Sequence, residues 1–196
     1  MRMDCYQKGK GYYSHLDNKL HFGINDSRDE STVAGFKLNM TTFFHEYGHW
    51  LDHNALKTTN ETFRDRLPNF LDNLKKDGLE YINNFFGLET NERIKSFSHN
   101  SSKEKELFRK FANNISRNAD KNSSISDLFD GLTNHKIYDG YVHKTKGYWT
   151  RPQQIEKEAV AEMFEAIASG GERDATMEKY FPTAYSQFKD LIRSLL

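Results

Sequence analysis

Residues 45–49 read His45-Glu46-Tyr47-Gly48-His49, and this spacing constrains the fold more than any other feature of the chain. On a helix, positions four apart lie one turn above each other. Both imidazoles can then aim at one metal ion while Glu46 sits about 100° round the axis, beside a water on that ion. A hydrolytic zinc site takes three protein ligands and leaves the fourth position to water, so a third ligand must come from elsewhere. The fold therefore has to bring a second segment against the helix of residues 45–49. Gly48 points the same way: an interior glycine costs about 1 kcal/mol of helix propensity relative to alanine, which suggests close approach of that other segment. The competing interpretation is a pair of solvent-facing or capping histidines with an accidental glutamate between them.

Around the motif, Phe43, Tyr47, Trp50 and Leu51 recur at helical spacing and form an apolar face that leaves His45, Glu46 and His49 on a separate stripe. Thr41 and Thr42 are placed to act as N-caps for such a helix. Upstream, residues 19–24 and 32–38 show short apolar or alternating patterns separated by the turn-rich 25–30, which predicts two short strands. The second runs almost directly into the motif helix, where a sheet edge could hold an extended peptide by strand addition. An ordinary hairpin covering the helix accounts for the same pattern.

The best-bounded helix lies downstream. Thr150 with Gln153 fits a capping box, Pro152 fits the first turn and Gly170-Gly171 the stop, so a helix is expected over 152–169. Glu158, Glu162 and Glu165 fall on one stripe of it, beside an apolar face of Ala159, Val160, Met163, Phe164 and Ile167. Glu158 is the expected third ligand. Glu162, one turn on, is placed to accept a hydrogen bond from the free ring nitrogen of a ligating histidine, and the opposite assignment of the two is open. A solvated acidic face explains the same glutamates without a metal. His53 continues the i+4 ladder beyond His49, but three ligands on one straight helix cannot converge, so His53 and the neighbouring Asp52 are read as packing or supporting residues. A third histidine six residues after His49 is ruled out, since Ala55 stands there.

His45-Glu46-Tyr47-Gly48-His49-Trp50-Leu51-Asp52, followed by Glu158-Ala159-Val160-Ala161-Glu162-Met163-Phe164, resembles the gluzincin domains related to anthrax lethal factor. The likeness extends to the helix after Tyr180-Phe181-Pro182. The chain is also similar to zincin-like domains of bacteriophage minor head proteins, through Ser126-Asp127-Leu128-Phe129-Asp130-Gly131-Leu132 and Gly147-Tyr148-Trp149. It covers about residues 11–56 and 126–194. The resemblance implies one zinc ion held by His45, His49 and Glu158, Glu46 as general base, and a tyrosine donating to the oxyanion of the transition state. Tyr148 is the best match for that tyrosine, with His143 as a second possible donor. The implied reaction is endopeptidase cleavage of a protein or peptide by a zinc-activated water. A non-catalytic structural or assembly module of a phage head or mobile element, retaining its zinc, is the alternative.

The rest of the sequence narrows the setting. Lys plus Arg and Asp plus Glu both number 28, so no net field points to nucleic acid. Cys5 is the only cysteine, which excludes an intramolecular disulfide and a cysteine-based zinc site. No apolar run approaches a signal peptide core or the roughly 20 residues of a membrane span. A cytoplasmic or virion-associated protein is the expectation. With a mean hydropathy of −0.85 the chain is polar, yet 14% of it is aromatic, so aromatic side chains are expected to dominate the core.

The predicted fold is a single α+β, mostly helical, zincin-like domain over 1–196 with a short sheet, the motif helix and the glutamate helix. A helical elaboration is expected at about 57–125, with amphipathic helices over 61–86 and 103–115 and exposed connections at 96–102 and 116–126. Beyond it come a short capped helix over 126–132 ending at Gly131, a turn on Asp139-Gly140, and a final packing helix over 182–195.

Overall fold

The structure, a computed structural model, describes residues 2–6, 11–23, 33–56, 59–98, 101–116, 119–137, 143 and 147–195. It is α+β and mostly helical. Strands β1 (Arg2–Tyr6), β2 (Tyr12–Ser14) and β3 (Lys19–Gly23) precede helices α1 (Val33–Asn54), α2 (Phe70–Phe85), α3 (Ser102–Ser116), α4 (Ala119–Thr133), α5 (Gln154–Ser169), α6 (Gly171–Tyr180) and α7 (Pro182–Ser194). None of the described helices is long and apolar enough to cross a membrane. The chain divides into two compact units, one of residues Met1–Leu67 and Lys157–Gly171, the other of Pro68–Glu156 and Glu172–Leu196.

In the first unit the sheet has the order β1-β3-β2, with β3 parallel to β1 and antiparallel to β2. Asn18, in the left-handed region at φ 56°, closes the turn between β2 and β3, a conformation asparagine tolerates better than most residues. The α1 helix packs on β2 and β3. Of residues 32–38, expected as a strand, 33–38 instead open α1, which starts at Val33, and residue 32 lies outside the described residues. Seven residues of mixed character satisfy either period, and elongating a helix gains a hydrogen bond per residue with no new nucleus. Thr41 and Thr42 consequently lie inside α1 and cannot cap it. At its other end Asp52, buried to 1% exposure, pairs with Arg64 and accepts that residue's backbone N–H, so the chain turns back over the helix before Pro68.

The second unit has the aromatic core the composition implies. Phe108, Phe111, Phe129, Phe181, Tyr185 and Phe188 are fully buried, and the Phe111 and Phe129 rings meet edge to face at 5.0 Å. The expected helix over 61–86 begins only at Phe70, because Pro68 disfavours a helical Leu67 and Asn69 takes φ 57°. The exposed connection expected at 116–126 is helical where it is described: Ser116 ends α3 and 119–126 belong to α4, with Ser124, Ile125 and Ser126 buried, while 117–118 lie outside the described residues. Burial of the helix face overrides the weak propensity of serine. Gly131 does not end a helix either. A Cβ there would lie 2.8 Å from the Trp149 indole, so the glycine makes room for the ring, and α4 continues to Thr133. The capping box at Thr150 is absent: its hydroxyl donates to the Gly147 carbonyl within a 3-10 turn (Tyr148–Thr150), Gln153 adopts φ 56°, and α5 starts at Gln154. That helix stops at Gly170 as expected. The α6 helix had no sequence signal strong enough to predict it, and the turn at Asp139-Gly140 lies outside the described residues.

Candidate metal centre

The centre is built where α1 meets the part of α5 in the first unit. Contact is closest at Gly48, whose missing side chain lets the helices touch: a Cβ there would stand 2.6 Å from the Cα of Ala161 and 3.2 Å from the Cβ of Phe164. Tyr47 packs its ring on Phe164 at 5.2 Å beside this point. Ala159, Val160, Ala161 and Met163 are all fully buried, which fixes the face α5 turns inward.

That face also carries charge. Glu158, Glu162 and Glu165 are only 1%, 6% and 6% exposed, so they are not a solvated acidic stripe. Burying a carboxylate costs several kcal/mol unless a cation or donors face it, and here three are collected on two turns of one helix. The His45 and His49 side chains are 16% and 20% exposed and face Glu158 rather than bulk water. Their rings stand 4.9 Å apart and nearly perpendicular, at 88°.

The three side chains converge on one point. The Nε2 atoms of His45 and His49 each lie 3.5 Å from the same Oε2 of Glu158. That separation is too long for a good N–H···O hydrogen bond, which falls at roughly 2.7–3.2 Å. It matches the edge of a zinc tetrahedron: two ligand atoms about 2.1 Å from the ion stand about 3.4 Å apart. These groups could hold a metal ion.

The other ring nitrogen of His45, Nδ1, is 3.3 Å from Glu162 Oε1 and 3.8 Å from Glu165 Oε2. A carboxylate in that position accepts the Nδ1 proton and leaves Nε2 as the ligand. Burial alone would push the His45 imidazole down. The Glu162 charge, the contacts to Glu158 and Glu162, and Glu46 outweigh it and hold its pKa well above the ordinary histidine value. Glu165, placed on the stripe by the sequence but given no role, thus joins the surroundings of His45.

Glu46 is held from the sheet. The Tyr13 backbone N–H donates to its Oε2 at 2.8 Å, while the Tyr13 hydroxyl donates to Asn18 and accepts from Asn54 near the end of α1. Tyr13 therefore pins β2 to the motif helix at both ends of the residue. The sequence could not reveal this, because a backbone donor leaves no mark on residue type. His53 packs against Tyr13 and His15, at 5.9 and 6.0 Å between ring centres, and is not among the convergent groups.

Tyr148 and His143 belong to the second unit. Their rings stack at 3.9 Å, Trp149 meets both edge-on, and the Arg151 guanidinium lies 5.4 Å from the Tyr148 ring centre. Behind them Asp130, fully buried, accepts from the Trp149 indole at 2.6 Å and contacts His135 Nδ1 at 3.0 Å. No family model, curated protein or solved structure matches this chain, so the metal centre has to be judged on its own geometry.

Proposed function

We propose that this chain is a zinc metallopeptidase of the gluzincin type, with His45, His49 and Glu158 as ligands and Glu46 as general base. The observation that carries this reading is the pair of 3.5 Å separations from two imidazole nitrogens to one carboxylate oxygen, the edge length of a tetrahedral site. Two neutral imidazoles and a carboxylate suit zinc, and when bound there the ion supplies Lewis acidity toward a peptide carbonyl and toward water.

The protein's own part follows from its contacts. Glu162 accepts the Nδ1–H of His45 and fixes the ring's tautomer and direction. Glu46 sits on the same helix between the two histidines, its carboxylate oriented by the Tyr13 amide, and can take a proton from the attacking water and return it to the leaving amine. The amide occupies one oxygen and keeps the carboxylate from rotating away. A peptide cleaved here lies along α1 beside the edge strand β2.

The test is cleavage of a peptide library by the purified protein. Cleavage is expected to vanish with a chelator and return with zinc, and Glu46→Gln should retain one zinc per chain while losing activity by roughly 10²–10⁴-fold. A Glu46→Gln protein that cleaves as fast as the parent overturns the mechanism. Stoichiometric zinc with no cleavage favours the structural or assembly module.

A further inference from the structure

A pair of histidines lies beside the base, on the wall formed by α1 and the end of β2. His53 occupies the last turn of α1, and its ring stacks on that of His15, the residue following β2, at 6.0 Å and 22°. The His53 side chain is half-buried and that of His15 is exposed. The basic groups that act electrostatically on His53 come from each neighbouring element: His15 from the turn after β2, Lys157 from α5 and His49 from α1. Among the described residues neither His15 nor His53 pairs with a carboxylate. Burial holds the His53 imidazole below its ordinary value, and those three neighbours push it further the same way, whereas the charge of an arriving anion would act in the opposite direction.

The pair is also at a definite distance from the reaction. His53 lies seven residues beyond Glu46, about 10 Å along the helix at 1.5 Å per residue. An extended peptide covers that in about three residues at 3.3 Å each. The β2 strand supports the same alignment, since Tyr13 is tied to Glu46 and His15 follows two residues on.

We propose that His15 and His53, reinforced by Lys157, form a subsite for a carboxylate of the bound peptide about three residues from the scissile bond. The carboxylate is an Asp or Glu side chain, or the chain's own C-terminus. This inference rests on the metallopeptidase reading and names its substrate class: peptides with an acidic group at a fixed distance from the cleaved bond.

Peptide hydroxamates provide the test, because the chelating group sets the register at the metal without knowledge of the natural substrate. Two series, extending the peptide to either side of the hydroxamate, carry Glu or Gln at each of the first four positions and end in an amide. In the zinc-loaded protein Glu should bind about tenfold more tightly than Gln near the third position of one series, the gain expected from a charge-assisted hydrogen bond. A further pair ending at that position with a free or amidated terminus distinguishes side chain from chain end. The His15→Gln/His53→Gln double variant should keep its zinc and lose the preference. Equal binding of Glu and Gln at every position of both series, or a preference that survives in the double variant, overturns the proposal. Zinc-dependent binding of the Gln series without any Glu preference removes the subsite and leaves the metal centre standing.

Discussion

Gly48 and Ala161 are in backbone contact: a Cβ on the first would stand 2.6 Å from the Cα of the second and 3.1 Å from its carbonyl oxygen. This one approach sets the spacing of the centre, since Gly48 precedes His49 directly and Ala161 lies between Glu158 and Glu162. Gly48→Ala should gain about 1 kcal/mol of helix propensity and lose more to overpacking, because both clashing atoms are backbone and cannot swing away. A net destabilisation of about 1–2 kcal/mol in urea unfolding is expected, together with weaker zinc binding as the helices part. A Gly48→Ala protein as stable as the parent would mean the helices are not held at this distance.

Glu162 and Glu158 should separate by their roles. Glu162→Ala leaves three ligands but frees the His45 ring to rotate and change tautomer, so zinc affinity is expected to fall by roughly 10–100-fold. Glu158→Ala removes a ligand and should fall further. Competition against a chromophoric chelator measures both, and equal losses would contradict the assignment of one as ligand and the other as its support.

The parts of the centre legible in the sequence were those written as spacing on single helices. His45 and His49 at i and i+4, and Glu158, Glu162 and Glu165 at i, i+4 and i+7, each present one stripe whatever the rest of the chain does. Gly48 announced a close approach but not its partner, because the Ala161 it meets is more than a hundred residues away. Tyr13 was silent, since its contribution to Glu46 is an N–H that every residue except proline carries. In the fold the misreadings share a cause. Residues 33–38 and 119–126 have local patterns too weak to choose between states, and the choice was made by a neighbour: helix elongation in the first case, burial of α4 in the second.

Asp77 and α7 make a prediction confined to the second unit. No side chain of the local sequence caps α7, and the side chain of Phe181 at the cap position has no atom to accept a hydrogen bond. Asp77, at 6% exposure on α2, supplies the acceptor from over a hundred residues away: its Oδ2 takes the N–H groups of Thr183 and Ala184 at 2.8 and 2.9 Å. Asp77→Ala should cost about 1–2 kcal/mol, the usual loss for a helix cap. Asp77→Asn retains an acceptor and should cost less. Chemical unfolding of the two variants decides, and an Asp77→Ala protein with parental stability would show that water replaces the cap.

Metal uptake should be coupled to a proton on His45. In the metal-free protein burial opposes the charged ring, but Glu162, Glu158 and Glu46 prevail, so the pKa is raised above 6.5. A raised folded value means the protonated ring adds stability that is fully present below the unfolded value near 6.5 and is lost as pH rises through the folded value. A protonated imidazole cannot ligate, so zinc must displace that proton. Zinc affinity should therefore climb by about one log unit per pH unit up to the raised folded value, and so go on climbing above pH 6.5, where that of a free imidazole would level off. In Glu162→Gln the largest raising influence is gone, and the levelling-off should move to lower pH. Affinities from chelator competition between about pH 6 and 9 test both statements, with the sign fixed by the raised value. A parent whose affinity is flat above pH 6.5, or a Glu162→Gln variant that levels off at the parent's pH, would show that the proton displaced by the metal does not come from the His45 and Glu162 pair.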